Sequence, residues 1–272
     1  MKKLLAGITL AALMTDAAMA ADLAVKAPIY KSPPPVVVYN WTGCYIGVNG
    51  GGAWQRRDNS LSIVNDPGNA FFNPLAIPGV NASGSGSLNS NGFTGGGQLG
   101  CNYQSAKVVL GVETDFNSLG QGAAFGGRFL YTTSGTPYLL NVSEDKSWLY
   151  TLRGRVGLAA DRALFYVTGG LAVAKYRFTQ SFADFDTESV SVSKTKAGWT
   201  VGAGVEAAVF DNWTVKAEYL FARFSGDTVV GRLVSTGGGA ATFTNSLSNI
   251  DLHVVRVGLN YRFGYSPIVA KY

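Results

Sequence analysis

The chain has 272 residues, with 22 basic and 17 acidic side chains, one histidine and a formal charge of +5. Charged residues make up only 14% of it and the 35 glycines are about twice the usual share, so an ordinary soluble domain is a poor fit. No Lys/Arg block exists to grip nucleic acid, and two cysteines with one histidine are too few for a disulfide scaffold or a Cys/His metal centre.

Residues 1–20 read as a secretory signal peptide. Lys2 and Lys3 precede an apolar run over 4–14, and Ala18-Met19-Ala20 supplies the small-x-small pattern of a cleavage site. Residues 21–39 carry Pro28, Pro33, Pro34 and Pro35 with Lys26 and Lys31, a composition that favours an extended linker in the periplasm over a packed core. Hydrophobic residues reach 47%, yet past the leader no run of 18 apolar residues occurs, which excludes transmembrane helices. A secreted, charge-poor, glycine-rich chain without such helices fits a transmembrane β-barrel, whose outer surface needs no charge.

From Asn40 onward the pattern has period two, the signature of half-apolar strands. Glycine-rich candidates lie near 41–54, 91–104 and 163–178. Clearer alternation runs near 107–117, 146–158, 197–209 and 213–224. An eighth segment, the last in the chain, is the cleanest: Val255, Val257, Leu259, Tyr261 and Phe263 share one face, while Arg256, Gly258, Asn260 and Arg262 share the other. The connections alternate between short (104–107, 159–163, 210–212) and long (55–90, 118–146, 179–195, 225–249). Outer-membrane barrels have short periplasmic turns and long external loops. The expectation is an all-β fold: an eight-stranded antiparallel up-and-down transmembrane barrel over 40–264, with a tail at 265–272. The long loops, rich in Gly, Ser, Asn and Thr, are expected to be mobile.

A bilayer adds demands. Open sheet edges cannot survive in hydrocarbon, so the first strand must pair with the eighth. Aromatic girdles are expected from Trp41, Tyr103, Phe165, Trp213 and Phe263 at one interface, and from Trp54, Phe93, Trp148 and Phe178 at the other. The inward face carries Glu113, Asp115, Glu206 and Glu218 against Arg153, Arg155, Lys216, Arg256 and Arg262. A barrel of this size is just filled by side chains. A salt-bridged plug is expected; the alternative is a narrow anion-selective pore through which small solutes pass passively.

Three local matches are weaker. Gly95 to Gly100 spells G-x-G-x-x-G, and Gly202 to Ala207 a looser variant, but strand follows where a dinucleotide site needs a helix. His253, two residues after Asp251, could serve an outer-membrane hydrolase only beside an oriented nucleophile, and nothing singles out a serine; a lone axial histidine says equally little about haem. No catalytic residue, cofactor or metal is therefore assigned. Cys44 and Cys101 fall on adjacent predicted strands near the periplasmic end, where a disulfide and two free thiols are both open.

Residues 256–263 read polar-x-Gly-x-x-aromatic-x-aromatic through Arg256, Gly258, Tyr261 and Phe263, similar to the terminal-strand signal read by the barrel assembly machinery, although the chain continues to Tyr272. With Ala21-Asp22-Leu23, the Pro-rich segment, the stretch from Asn40-Trp41-Thr42-Gly43-Cys44 to Gly47, and Gly154-Arg155-Val156-Gly157, the whole chain resembles the small outer-membrane β-barrel proteins of alphaproteobacteria, a porin-like group of major surface antigens. The resemblance implies an outer-membrane location, roles in envelope integrity and surface contact, and partners among outer-membrane lipid and lipopolysaccharide. It transfers no catalytic residue and leaves the oligomeric state open.

Overall fold

The computed structural model describes residues 37–184, 187–263 and 268–269. The expected signal peptide, most of the Pro-rich linker and most of the tail lie outside the described residues.

Eight strands close into one antiparallel barrel. They are numbered here β1 (Gly43–Arg56), β2 (Ser90–Ser105), β3 (Val108–Leu130), β4 (Pro137–Ala160), β5 (Ala163–Ala183), β6 (Thr187–Ala208), β7 (Trp213–Phe224) and β8 (Ile250–Phe263). Each pairs with its sequence neighbour, and β8 pairs with β1 from Asp251↔Arg56 to Phe263↔Cys44. No strand in the ring is left with an open edge, as hydrocarbon requires.

The alternation sets the two faces. On β8, Val257 is 56% exposed and its neighbours Arg256 and Gly258 face the lumen, where Arg256 is buried. From Phe263 to His253 the outward side chains are aromatic or aliphatic, and ten residue steps at about 3.3 Å, tilted by about 40°, span roughly 25 Å. That is the height of the apolar band of an outer-membrane barrel. Two of the three turns at the opposite end are tight. Ala106 and Asp161 take positive φ there, at 53° and 51°, so the chain reverses within two residues.

The glycine content has a packing cause inside the barrel. Large lumen side chains sit in register opposite glycines: Arg155 faces Gly111, Arg153 faces Gly170 and Arg256 faces Gly51. A Cβ on Gly100 would fall 2.2 Å from the Tyr45 hydroxyl oxygen, so the literal G-x-G-x-x-G run is part of a crowded strand wall.

The long connections, read from composition as loops, carry regular secondary structure. β3 to β6 are 21 to 24 residues long, about twice what the bilayer needs, and continue outward as hairpins. The connections 57–89 and 225–249 fold into a four-stranded sheet in the order Asp227–Val234, Ala240–Leu247, Asp58–Asn65, Gly86–Ser87, with a short helix at Ile77–Ser83. Leu61, Ile63, Val229, Leu233, Phe243 and Leu247 pack this sheet against Tyr138, Leu140, Val142, Phe178 and Phe182 of the extended hairpins. The result is a sandwich with its own core outside the membrane, here called the head.

Three further expectations are corrected. Trp41 is completely buried and packs edge-on against Tyr39 inside the periplasmic mouth, away from lipid. Phe178 is buried in the head core, away from the girdle. Tyr39, assigned to the linker, is buried in the same mouth cluster. Tyr103, Phe165, Trp213 and Phe263 are exposed on the outer surface at the periplasmic side, and Trp54 and Phe93 at the other. Phe116 and Trp148 stack at 5.6 Å.

Candidate functional site: a filled lumen beneath an extracellular head

At mid-height the lumen holds one ionic network. Arg153 donates from Nη2 to Glu113 at 2.5 Å and to Asp115 at 2.8 Å, and from Nη1 to Glu218 at 2.9 Å. Arg256 donates to Glu218 at 2.8 Å and to both oxygens of Asp115 at 2.9 and 3.1 Å. Lys216 Nζ reaches both oxygens of Glu113 at 2.7 and 2.8 Å. Arg155 donates to Glu206 at 3.1 Å and lies between the rings of Tyr45 and Tyr166, 5.0 and 5.2 Å from their centres. Glu206 also accepts from Thr214 and Asn260, and Glu113 from the Tyr45 hydroxyl.

Four carboxylates thus face four cations, all buried. Every carboxylate oxygen accepts at least one hydrogen bond. Charges taken out of water persist only when so compensated. The structure brings together eight of the nine residues expected in this network. The ninth, Arg262, sits lower, in the periplasmic mouth. It donates to the carbonyls of Asn40 and Thr42 and lies over the rings of Tyr39 and Trp41, at 4.9 and 5.7 Å. It faces inward as expected, but its height on the strand puts it beside backbone and aromatic rings instead of acids.

Above the network the lumen turns apolar. Leu119, Leu149, Leu220, Phe224, Leu252 and Val254, with intervening alanines, form a buried layer across the barrel. Its residues come from β1, β3, β4, β5, β7 and β8, so it reaches most of the way round the wall. Sequence reasoning did not single it out, although strict alternation puts each of these residues on the inner face.

Beyond the girdle lies a second polar layer. Glu144 accepts from Arg57, Lys146 and Gln55, and Arg57 lies over the Tyr176 ring at 5.3 Å. Burial raises the Glu144 carboxyl, but Lys146 and Arg57 outweigh it and hold the group below the ordinary carboxylate range. The Tyr176 hydroxyl donates to Asp227 at 2.6 Å and Lys194 does so at 2.7 Å, tying the head sheet to β5 and β6. Higher still, Asn59 bonds Asn245, and Asn245 bonds Gln180 of β5. Phe72, Tyr131, Tyr138 and Phe182 stack around the tip, with ring centres 4.6 to 6.3 Å apart.

Cys44 and Cys101 are register partners on β1 and β2 and form a disulfide on the outer face near the periplasmic end. Of the terminal-strand residues, Tyr261 and Phe263 are exposed outside, stacking edge-on at 5.4 Å. Gly258 faces the lumen across from Lys216, where a Cβ would come within 3.1 Å of that side chain.

His253 is on the outer surface at the rim. It stacks on Trp54 at 5.6 Å and its Nδ1 bonds the Tyr219 hydroxyl at 2.7 Å. Both oxygens of Asp251 are taken by Arg223, at 2.6 and 2.7 Å. The hydroxyl at the histidine belongs to a tyrosine and the aspartate orients an arginine, so the geometry of a nucleophile–histidine–acid triad is not built there. Among the described residues no group of His, Cys, Asp and Glu is arranged to hold a metal ion.

A closed barrel with an apolar belt, an ionic interior and short turns at one end is the architecture of an integral outer-membrane protein. The chain belongs to the outer membrane protein beta-barrel family, whose domain matches residues 8–263. It is similar to the 31 kDa outer-membrane immunogenic protein of Brucella melitensis, with 37% identity over 94% of this chain and 97% of that one. It also resembles the 25 kDa outer-membrane immunogenic protein of Brucella abortus, with 26% identity over 90% and 91%. A 22 kDa outer membrane protein of Rhizobium leguminosarum matches at 35% over 48% of this chain and 52% of its own length. Among solved structures, OprG of Pseudomonas aeruginosa aligns over 84% of this chain and all of its own, with 12% identity and a TM-score of 0.39. This protein is an alphaproteobacterial-type barrel of the outer membrane.

Proposed function

We propose that the protein is a non-conducting structural barrel whose task is to hold a rigid head above the outer membrane for contact with the surroundings, while its lipid-facing belt contributes to envelope integrity. The observation that carries this reading is the packed core of the head, continuous with β3 to β6 and bolted to them by Tyr176–Asp227 and Asn245–Gln180. A head built this way presents a fixed surface, which suits contact better than mobile loops do. Outer-membrane lipid, lipopolysaccharide and the barrel assembly machinery are the partners this reading requires.

Hydrogen exchange of the full chain in lipid bilayers tests it. Amides of Asp58–Asn65 and Ala240–Leu247 are expected to exchange on the slow timescale of the barrel strands. Exchange as fast as in an unstructured loop would contradict a rigid head.

A further inference from the structure

The lumen has a further closure, at the periplasmic mouth. Residues 39–42 lie just before β1 and turn inward across it. Tyr39 and Trp41 are 3% and 0% exposed. They pack in one cluster with Val109 of β3, Leu164 and Tyr166 of β5 and Ala208 of β6. β5 stands directly across the ring from β1, so the segment reaches the far wall of the mouth. Tyr166 is also one of the two rings around Arg155, so this cluster adjoins the lower edge of the ionic network.

The segment is held without belonging to the barrel ladder, which starts at Gly43. Its anchors come from three places around the mouth. On β8, Arg262 Nη2 donates to the carbonyls of Asn40 and Thr42 at 2.7 and 3.0 Å, and the guanidinium lies over the Tyr39 and Trp41 rings. On β2, the Gln104 side chain accepts from the Trp41 N–H at 2.7 Å, and the Gln104 N–H donates to the Thr42 hydroxyl at 2.9 Å. At the β4–β5 turn, the Asp161 carbonyl accepts from the Trp41 indole at 3.4 Å. Arg262 is 1% exposed, and its Nε and Nη1 have no hydrogen-bond partner. Among the described residues, every hydrogen bond and ring contact of its side chain goes to residues 39–42. A buried guanidinium committed in this way serves that segment alone. The junction with β1 is Gly43, whose φ of 137° strains any residue with a side chain. A Cβ there would also meet the Phe263 carbonyl oxygen at 3.1 Å.

We propose that residues 39–42 are a releasable strap: they shut the periplasmic mouth, Arg262 latches them, and Gly43 is the hinge on which they swing out. The strap continues the Pro-rich segment that precedes it, so tension along that segment reaches the strap before the barrel ladder. Opening is local, because no rung of the ladder has to break. A released strap lets water reach Arg155 and Glu206. The path ends there, since the apolar layer above the network stays shut. The strap thus decides which lumen charges the periplasm meets, without making a channel.

The test places one new thiol in the mouth, Ala208→Cys, in the refolded full chain with the Cys44–Cys101 disulfide left in place. The readout is its rate of labelling by a charged methanethiosulfonate. Labelling should be slow in this background and about tenfold faster when Arg262→Gln is added, which frees the latch but keeps the covering rings. Thr42→Val, which loses the bond from the Gln104 N–H, should speed it a few-fold. That variant carries the test if Arg262→Gln does not reach the heat-modifiable form. A thiol in the apolar layer, Ala222→Cys, should stay unlabelled in every background. Labelling at Ala208→Cys as fast with the strap intact as in urea would overturn the proposal. So would no acceleration in either variant, or equal acceleration at Ala222→Cys, which would mean that the whole barrel opens.

Discussion

A Glu113→Leu variant is expected to lose about 3–5 kcal/mol of stability. Glu113 accepts from Tyr45, Arg153 and Lys216 in the middle of the lumen, where all four side chains are buried. Leucine fills the volume but leaves Lys216 with only Glu218 nearby, at 4.0 Å. The uncompensated ammonium then bears its desolvation cost alone. The double variant Glu113→Leu/Lys216→Met should recover much of the loss, because an apolar pair of similar volume replaces a buried ion pair at little net cost. Urea unfolding in detergent, followed by heat-modifiable migration, measures both. A single variant within about 0.5 kcal/mol of the parent would mean that water reaches the network.

Phe243→Ala is the second large effect, and it should fall on the head. Phe243 is buried at the centre of the sandwich and its ring lies over Gly231, its register partner, where a Cβ would sit 2.1 Å from Cζ. Removing the ring opens a cavity that the facing sheets cannot close, at about 3–5 kcal/mol. Limited proteolysis of the protein in liposomes should then cut within 225–249 at protease levels that leave the parent whole. The barrel should keep its heat-modifiable migration, since the apolar lumen layer and the ionic network lie below the change. Loss of the barrel together with the head would show that the two do not open separately.

Much of the barrel was legible from period-two alternation and from connection lengths, because both follow directly from a lipid outside and a filled lumen inside. Cys44 and Cys101 share the outward parity of Ile46 and Leu99, and the structure adds that they are register partners. Failures came where facing alone does not decide. Arg262 has the correct inward parity, but strand tilt and stagger set its height, and these are not written in one strand's pattern. Trp41 shares the odd, inward parity of Tyr45 and Asn49, but glycines at 43 and 47 blur that phase and its place at the end of the candidate strand made it read as girdle. Phe178 has the parity opposite to Phe165 and so points inward, a distinction blurred by Gly169-Gly170 between them.

The head was missed for a compositional reason. Its strands alternate too: Leu61 and Ile63 are buried while Ser60 and Ser62 are exposed. The outward partners are small and polar, as in loops, so the pattern reads as loop composition. What distinguishes a second sheet is the set of partners at 227–247, some 180 residues away in sequence, and no local window contains them.

The central claim is that the barrel is a filled stalk, closed by a balanced ionic layer and by the apolar layer of Leu119, Leu149, Leu220, Phe224, Leu252 and Val254 above it. Planar-bilayer recording of the refolded full chain tests this most directly. The expected record is flat, with no unitary conductance steps in either orientation of the voltage. Reproducible steps that scale with salt concentration would show a continuous aqueous path and contradict it.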